Sequence, residues 1–267
     1  MTKSLIDKDA PVVRMVMKTT PGVRARDAFT AVQINTRSLY NDYAYDAAID
    51  PMKLYDVDPS EITQATKPFS GPKRTVAGKV IGGAWDLRTR PFSELDGRMH
   101  FHVYDSFEQH FEDGIPWEET EYYERLMTAV QNGNHRWGCT SRQDVIERFE
   151  KIDELYEWIR LEGYKTQSEL LESQTPSPIE TPSRPEIFRK INNEIAINIG
   201  RDGDLMFYDG RNRLAIAKIL ELDRIPVVIL ARHKKWQRTR DRVVRGNFDP
   251  GKLSEQLRTH PDIEDLL

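Results

Sequence analysis

Apolar and polar positions alternate most clearly at the start of the stretch 194–232, where isoleucines occupy every second position from Ile195 to Ile199. That spacing is typical of a β-strand with one buried face. The Asp-Gly-Asp sequence at 202–204 supplies a turn, and the mainly apolar residues 205–208 return as a second strand. The pattern therefore predicts a β-hairpin.

After the hairpin the pattern changes to helical spacing. Apolar residues from Leu214 to Leu220 fall on one helical face, and the apolar run 225–230 is short enough to be a buried strand. Gly210 therefore lies where a strand turns into a helix. The first turn of any helix has N–H groups without a partner inside the helix, and the helix dipole is positive there. Phosphate or sulfate is the expected ligand at such a turn.

The turn carries the polar sequence Asp-Gly-Arg-Asn-Arg at 209–213. Arg211 and Arg213 add side-chain donors for an anion. The alternative is that Asp209 caps the helix, while both arginines are solvated or pair with acidic neighbours. Because short motifs often match by chance, these residues taken alone favour the alternative.

The segment DGRNRLAIAKILELDRIPVVIL resembles the signature of the ParB/sulfiredoxin-like superfamily, in which a strand, a glycine-arginine turn, an apolar helix and an IPV strand follow one another. In that superfamily the turn and the helix N-terminus hold nucleotide phosphates, of CTP in chromosome-partition proteins and of ATP in sulfiredoxins and a free-serine kinase. The resemblance implies ATP or CTP as the ligand here. It implies that the phosphate-binding residues are Gly210, Arg211, Asn212 and Arg213, with Asp209 at the entrance.

The resemblance also implies an α+β fold, namely a ParB/sulfiredoxin-like mixed sheet with surrounding helices. The glycine-interrupted stretch 76–86 predicts the first strand of a core that covers residues 76–232, with an insert at about 91–140. Residues 1–75 are predicted to form a helical N-terminal extension. Residues 233–267 are predicted to form a basic helix and an acidic tail that frays.

Two features depart from the best-known members of the superfamily. Sulfiredoxins carry a cysteine in the turn, whereas this chain has Arg211 there, and its single cysteine, Cys139, lies far away in sequence. Partition proteins continue into a helix-turn-helix domain, whereas only residues 233–267 follow the last predicted strand. We therefore expect neither sulfinic acid reduction at this turn nor centromere recognition.

Phosphoryl transfer needs hydrogen-bond donors for the phosphates, a metal ion, and an acid or base near the acceptor. Asp209 and Asp86 are the candidates for the metal-binding or base role, with Mg²⁺ as the metal, and Trp85 is the candidate to stack on the nucleotide base. Choosing Asp86 assumes that the first strand ends beside the turn. The predicted function is nucleotide binding. If the two aspartates act on a bound nucleotide, the protein is a phosphotransferase or an NTPase.

A basic segment follows the last predicted strand, with seven lysines and arginines against one acidic residue between residues 232 and 245. Helical spacing places several of them on one face, which suits a second phosphate group or a nucleic-acid backbone. The alternative is a solvated basic face opposite an acidic remainder. The candidate residues are Arg232, His233, Lys234, Lys235, Arg238 and Arg242. DNA-binding or nuclease-type function, and a non-catalytic scaffold for a protein partner, therefore stay open beside nucleotide binding.

His100, His102 and His110 invite a metal interpretation, because a His-x-His pair on a strand places two imidazoles on one face. The spacing specifies neither a further ligand nor a supporting partner, so half-exposed histidines on a strand over residues 99–104 are favoured.

The clearest helix covers residues 141–162, with Ser141 and Asp144 as a capping pair and Gly163 as its terminator. The proline-rich stretch 173–185 predicts a connector that could also act as a lid over the phosphate site.

Length, charge and hydrophobic content indicate which kind of protein this is. The chain has 267 residues, a formal net charge of −4 and 38% hydrophobic residues, which describes a polar globular protein. No apolar run approaches the ~20 residues of a membrane span. With one cysteine and no secretory signal pattern, a cytoplasmic protein that does not bind membranes is expected.

Overall fold

The computed structural model describes residues 20–66, 76–94, 103–172, 194–246 and 255–267. Within these ranges a seven-stranded mixed sheet forms the centre of the protein. Its strands are β1 (Leu54–Val57), β2 (Gln64–Ala65), β3 (Lys79–Ile81), β4 (Arg90–Pro91), β5 (Ile195–Ile199), β6 (Leu205–Asp209) and β7 (Ile225–His233). The helices are α1 (Thr20–Ala44), α2 (Val103–Phe111), α3 (Glu121–Gln131), α4 (Arg142–Glu162), α5 (Gln167–Glu172), α6 (Arg211–Ile219), α7 (Lys234–Val244), α8 (Glu255–Arg258) and α9 (Pro261–Glu264). The predicted α+β class, a mixed sheet with surrounding helices, is confirmed.

The sheet has the order β1-β7-β5-β6-β2-β4, and β3 also pairs with β7. Strands β3, β5 and β7 run parallel to one another, because β7 pairs in parallel with both of the others. Strand β6 runs antiparallel to β5, as expected for a hairpin. The carboxyl ends of β3, β5 and β7 therefore lie at one edge of the sheet, and the end of β6 lies at the opposite edge.

Both faces of the central strands are covered. Ile195, Ile197 and Ile199 of β5 belong to the main hydrophobic core, together with apolar residues of α3, α4 and α6. The alternate residue Ala196 faces a smaller cluster that includes Ile34 of α1. Strand β5 is therefore buried on both sides, which explains why it holds no exposed residue.

Elements predicted from a periodic pattern over many residues are present in the structure. Helix α4 begins at a capping box formed by Ser141 and Asp144, and Gly163 ends it with a φ of 75°. The hairpin, the glycine turn, the following helix and the last strand are also present as predicted. No helix in the described ranges combines the length and the apolar character that crossing a membrane requires.

Short elements, and strands that pair with residues distant in sequence, differ from the prediction. The prediction of a strand at 99–104 is wrong for residues 103 and 104, because Val103 begins helix α2. Val103 and Phe107 are buried one helical turn apart. Residues 99–102 lie outside the described ranges. Part of the predicted N-terminal extension belongs to the sheet, since β1 pairs with β7 and β2 pairs with β6.

Candidate functional site

The predicted phosphate turn, residues 209–213, is called the α6 turn below. Gly210 is the N-cap of α6 and adopts a left-handed conformation with φ 97° and ψ 31°. A Cβ at this position would lie 3.0 Å from the backbone Cα of Ile195. Both the backbone angle and the close approach therefore require glycine.

Helix α6 begins without a side-chain cap. The first hydrogen bond of the helix runs from the N–H of Leu214 to the carbonyl oxygen of Gly210, at 3.1 Å. Asp209 precedes the N-cap, and its Oδ1 accepts the N–H of Gly210, at 2.8 Å. The N-cap residue itself has no side chain that could accept a first-turn N–H group.

Arg213 points away from the helix axis toward two partners. Its Nη1 donates to the hydroxyl of Tyr164 at 3.2 Å and lies 3.7 Å from Oε2 of Glu194. The side chain of Glu194 is fully buried, and its Oε1 accepts the N–H of Gln167 at 2.6 Å. The side chain of Arg213 is 18% exposed, so it is held largely within the fold but is not fully buried. Part of its charge is already balanced by Glu194.

Asp86 and Trp85 do not lie at the α6 turn. They follow β3, which ends at the carboxyl edge of the parallel strands, whereas the α6 turn lies at the amino edge. Strands of five residues at ~3.3 Å per residue separate these edges by roughly 15 Å. The assumption that the first strand ends beside the turn therefore does not hold.

Asp86 forms a bidentate ion pair at that carboxyl edge. Its two carboxylate oxygens accept hydrogen bonds from Nε and Nη2 of Arg201, both at 2.7 Å, and Oδ2 also accepts the N–H of Arg201. The hydrogen bonds from Arg201 lower the pKa of Asp86 to about 2, although burial opposes the shift. Arg201 follows β5 and was not singled out in the sequence, where only its position after a predicted strand distinguishes it.

Trp85 joins His233 at the same edge. Their rings lie 5.9 Å apart, and Nε2 of His233 donates to the carbonyl oxygen of Gly83 at 3.0 Å. Nδ1 of His233 accepts the N–H of Lys235, so the imidazole caps helix α7. His233 is buried, and both of its ring nitrogens form hydrogen bonds to the backbone of the protein.

Arg232 is also buried, with a side chain 1% exposed. It forms an ion pair with Asp262 at 2.6 Å and donates to the hydroxyl of Tyr55 at 2.9 Å. Trp236 donates to Asp262 as well, at 2.8 Å. Burial raises the pKa of Asp262, but the charges of Arg232 and Arg240 outweigh it and hold that pKa below its usual value.

The C-terminal residues 260–264 therefore do not fray, contrary to the prediction. Asp262 and Ile263 are fully buried, and Nε2 of His260 donates to the carbonyl oxygen of Gly203 at 2.9 Å. The sequence signal for this anchoring is weak, since a single acidic residue inside an acidic tail does not identify its partner.

Most of the remaining basic residues line an open groove along α7, called the α7 groove, with a volume of about 660 Å³. Its lining residues are Arg201, Asp202, Lys235, Arg238, Thr239, Asp241, Arg242 and Arg245. Lys235, Arg238 and Arg242 from the predicted basic set are thus brought together, while Lys234 is exposed but is not part of this lining. Arg245 pairs with Asp46, and Asp241 accepts the N–H of Ala47, so the groove adjoins the segment after α1.

The histidines give no metal site in the described ranges, where no group of three or more His, Cys, Asp or Glu side chains could hold a metal ion. His110 stacks on Trp117 with ring centroids 4.0 Å apart, and its Nε2 lies 3.1 Å from Asp153. His100 and His102 lie outside the described ranges, as does the predicted lid at 173–185. Cys139 is buried, and burial raises the pKa of its thiol.

Comparisons with known protein families, curated proteins and solved structures found no match to this chain. The resemblance to the ParB/sulfiredoxin-like superfamily accordingly stays a prediction from the 209–230 segment.

Proposed function

We propose that the protein binds the phosphate groups of a nucleotide, ATP or CTP, at the α6 turn, in the manner of the ParB/sulfiredoxin-like superfamily. The observation that supports this proposal is the start of α6, where a left-handed glycine replaces a capping side chain. An anion at that position meets first-turn N–H groups and the positive end of the helix dipole. Arg213 supplies a cation that Tyr164 and Glu194 hold in place.

Mg²⁺ fits this arrangement through Asp209. Proteins usually hold Mg²⁺ by one or two carboxylates together with substrate phosphates, rather than by a complete protein cage. Asp209 is the carboxylate beside Gly210, so it is the residue that would hold the ion, which would neutralise charge on the phosphates. Asp86 is committed to Arg201 at the other edge of the sheet, so we assign it no part in this site.

Asn212→Asp tests the proposal without removing a structural contact. Asn212 occupies the second position of α6, where a carboxylate favours the helix but repels phosphate. Gln143→Glu is the matched control, because Gln143 occupies the second position of α4 and receives the same change in charge. Calorimetric titration with ATP, ADP and CTP, each with and without Mg²⁺, should show at least tenfold weaker binding for Asn212→Asp alone. Absence of binding by the wild-type protein, or equal binding by both variants, would exclude the site.

The α7 groove favours a second candidate function, binding of a nucleic-acid backbone. Lys235, Arg238, Arg242 and Arg245 recur at spacings of three, four and three residues, so they form one row along the helix. At ~1.5 Å per residue this row is roughly 15 Å long, which suits a linear polyanion better than a compact one. Trp236 is buried and no aromatic residue is among the groove's lining, so contact with phosphates rather than base stacking is expected.

Filter binding of a DNA duplex across a salt series tests this second function. Each phosphate contact contributes a slope of about −0.9 to the dependence of log affinity on log salt. The triple variant Lys235→Ala, Arg238→Ala and Arg242→Ala should therefore flatten the slope by roughly 2 to 3. The control triple Arg125→Ala, Lys151→Ala and Arg160→Ala removes the same charge from α3 and α4, outside the groove lining, and should leave the slope unchanged. No retention at low salt, or equal slopes for the two triples, would remove this function.

A further inference from the structure

Helix α1 has two apolar faces, and only one of them contacts the sheet. On the inner face, Ile34 is 8% exposed and packs with Ala196 and Val228 of the sheet. Asn41 is fully buried and donates through Nδ2 to the carbonyl oxygens of Ile49 and Gly78. The helix is therefore fixed in rotation about its own axis.

The outer face of the same helix is exposed and apolar. Phe29 is 56% exposed, Val32 61%, Leu39 71% and Tyr43 91%. Together with Thr36 they recur at spacings of four and three residues, which is the heptad pattern of a helix that packs against another helix. We call these five positions the outer seam. Tyr40, 54% exposed, lies beside it.

This concentration of apolar surface is unusual within the protein. Of the eleven exposed large hydrophobic side chains in the described ranges, five belong to α1. Scattered single apolar residues need no explanation, whereas a contiguous stripe of this kind marks an interaction surface.

We propose that the outer seam is a self-association surface, on which α1 of a second copy of this chain packs antiparallel about a two-fold axis at Thr36. Phe29 and Tyr43 each lie seven residues from Thr36, so the aromatic ends of one helix meet the opposite aromatic ends of the other. Val32 lies four residues and Leu39 three residues from Thr36, so Val32 of one copy lies near Leu39 of the other on each side of the axis. This order is self-complementary, as a two-fold interface requires.

The polar groups of the seam are compatible with an apolar contact. The hydroxyl of Thr36 donates to the carbonyl oxygen of Val32 at 2.7 Å, so it needs no partner across the interface. Gln33 and Asn35, which flank the seam, are uncharged, and the exposed Asp42 lies beside Tyr43 at one end of it. In an antiparallel pair the two Asp42 side chains lie at opposite ends of the interface, so they do not oppose a second copy of the chain.

The area available suits a weak dimer. From the burial expected of aromatic and aliphatic side chains, the seam and Tyr40 offer roughly 500 Å² per copy, or about 1,000 Å² for the pair. That is at the lower limit of specific interfaces. Reversible association over a micromolar range is therefore expected.

Sedimentation equilibrium of the full chain between about 1 and 200 µM tests the proposal. The wild-type protein should shift from monomer to dimer within this range. Leu39→Glu should weaken association at least tenfold, whereas Leu161→Glu should not, although Leu161 is 69% exposed against 71% for Leu39. A monomer throughout the range, or equal weakening by the two variants, would overturn the proposal. So would a loss of monomer stability in Leu39→Glu with no change in mass, because the seam would then be covered within a single chain.

Disulfide trapping tests the antiparallel geometry. Thr36→Cys should cross-link to itself under mild oxidation, and the lone native cysteine, Cys139, is buried and should give no background. Phe29→Cys should cross-link poorly alone but readily when mixed with Tyr43→Cys. Efficient self-linking of Phe29→Cys would indicate a parallel pair and would contradict the two-fold axis at Thr36.

Discussion

The arginines at the two ends of the β5–β6 hairpin differ in their partners. At the α6 turn, Arg213 contacts Tyr164 and Glu194, and the N-cap of the helix, Gly210, has no capping side chain. At the α7 end, Arg232 is held by Asp262 and Arg201 by Asp86, and Arg201 also lines the α7 groove together with the exposed Arg238 and Arg242. The comparison teaches that a basic run in a sequence contains residues with different roles. Which of them can meet a ligand depends on acidic partners that are remote in sequence.

The largest expected effect comes from removing the carboxylate at the α7 end. Asp262→Asn leaves the charge of Arg232 buried without its ion-pair partner, so the free energy of unfolding should fall by about 3–5 kcal/mol. Urea denaturation measures this change. Asp265→Asn is the control, because Asp265 forms an exposed pair with Lys53 and should cost less than about 1 kcal/mol. Equal costs for the two variants would show that the buried pair does not anchor the C-terminal segment.

The difference between these two aspartates also shows where sequence reasoning stops. The hairpin, α4, α6 and β7 could be predicted because each depends on periodicity and caps within a few residues. The pairs that decide which arginines are exposed join Arg232 to a residue 30 positions away and Arg201 to one 115 positions away. No local pattern encodes such pairs. Strands β1 and β2 were missed for a related reason, since two to four residues are too few to show a period.

The ion pair of Asp86 predicts a specific dependence of stability on pH. Hydrogen bonds from Arg201 hold the pKa of Asp86 at about 2, so the stability that this pair contributes is present above pH ~4 and is lost as the pH falls toward 2. Arg201→Gln should cost about 2 kcal/mol at pH 7, and the difference from wild type should shrink below pH ~3.

Urea midpoints at several pH values between 7 and 2.5 would measure this difference. Arg125→Gln is the control, because Arg125 pairs with Glu121 on an exposed helical surface and should show almost no difference at any pH. A constant deficit of Arg201→Gln at all pH values would contradict the assigned pKa.

A smaller effect is expected from a methyl group at the α6 turn. Gly210→Ala should lower the free energy of unfolding by about 1–2 kcal/mol for the left-handed backbone, and further for the 3.0 Å approach to Ile195. Gly133→Ala separates the two contributions, because Gly133 has a φ of 72° and no atom within 4 Å of the added Cβ. Chemical denaturation of both variants should therefore show the larger loss for Gly210→Ala. A larger loss for Gly133→Ala would mean that the backbone of the α6 turn shifts to accommodate the added methyl group.

The smallest expected effect is a gain in the free energy of unfolding, and it compares the N-terminus of α6 with that of α4. Asn212→Asp places a carboxylate in the first turn of α6, where no side-chain cap is present, and should raise the free energy of unfolding by about 0.3–1 kcal/mol. Gln143→Glu makes the same change in α4, whose N-terminus already has the carboxylate of Asp144 in a capping box. The gain there should be smaller, because Asp144 already interacts with the same helix end and Glu147 lies one turn away. Both gains should shrink in 1 M salt, since interactions with a helix dipole are screened. If Asn212→Asp gives no gain at low salt, the positive end of α6 is already neutralised, and the electrostatic argument for a phosphate at this turn fails with it.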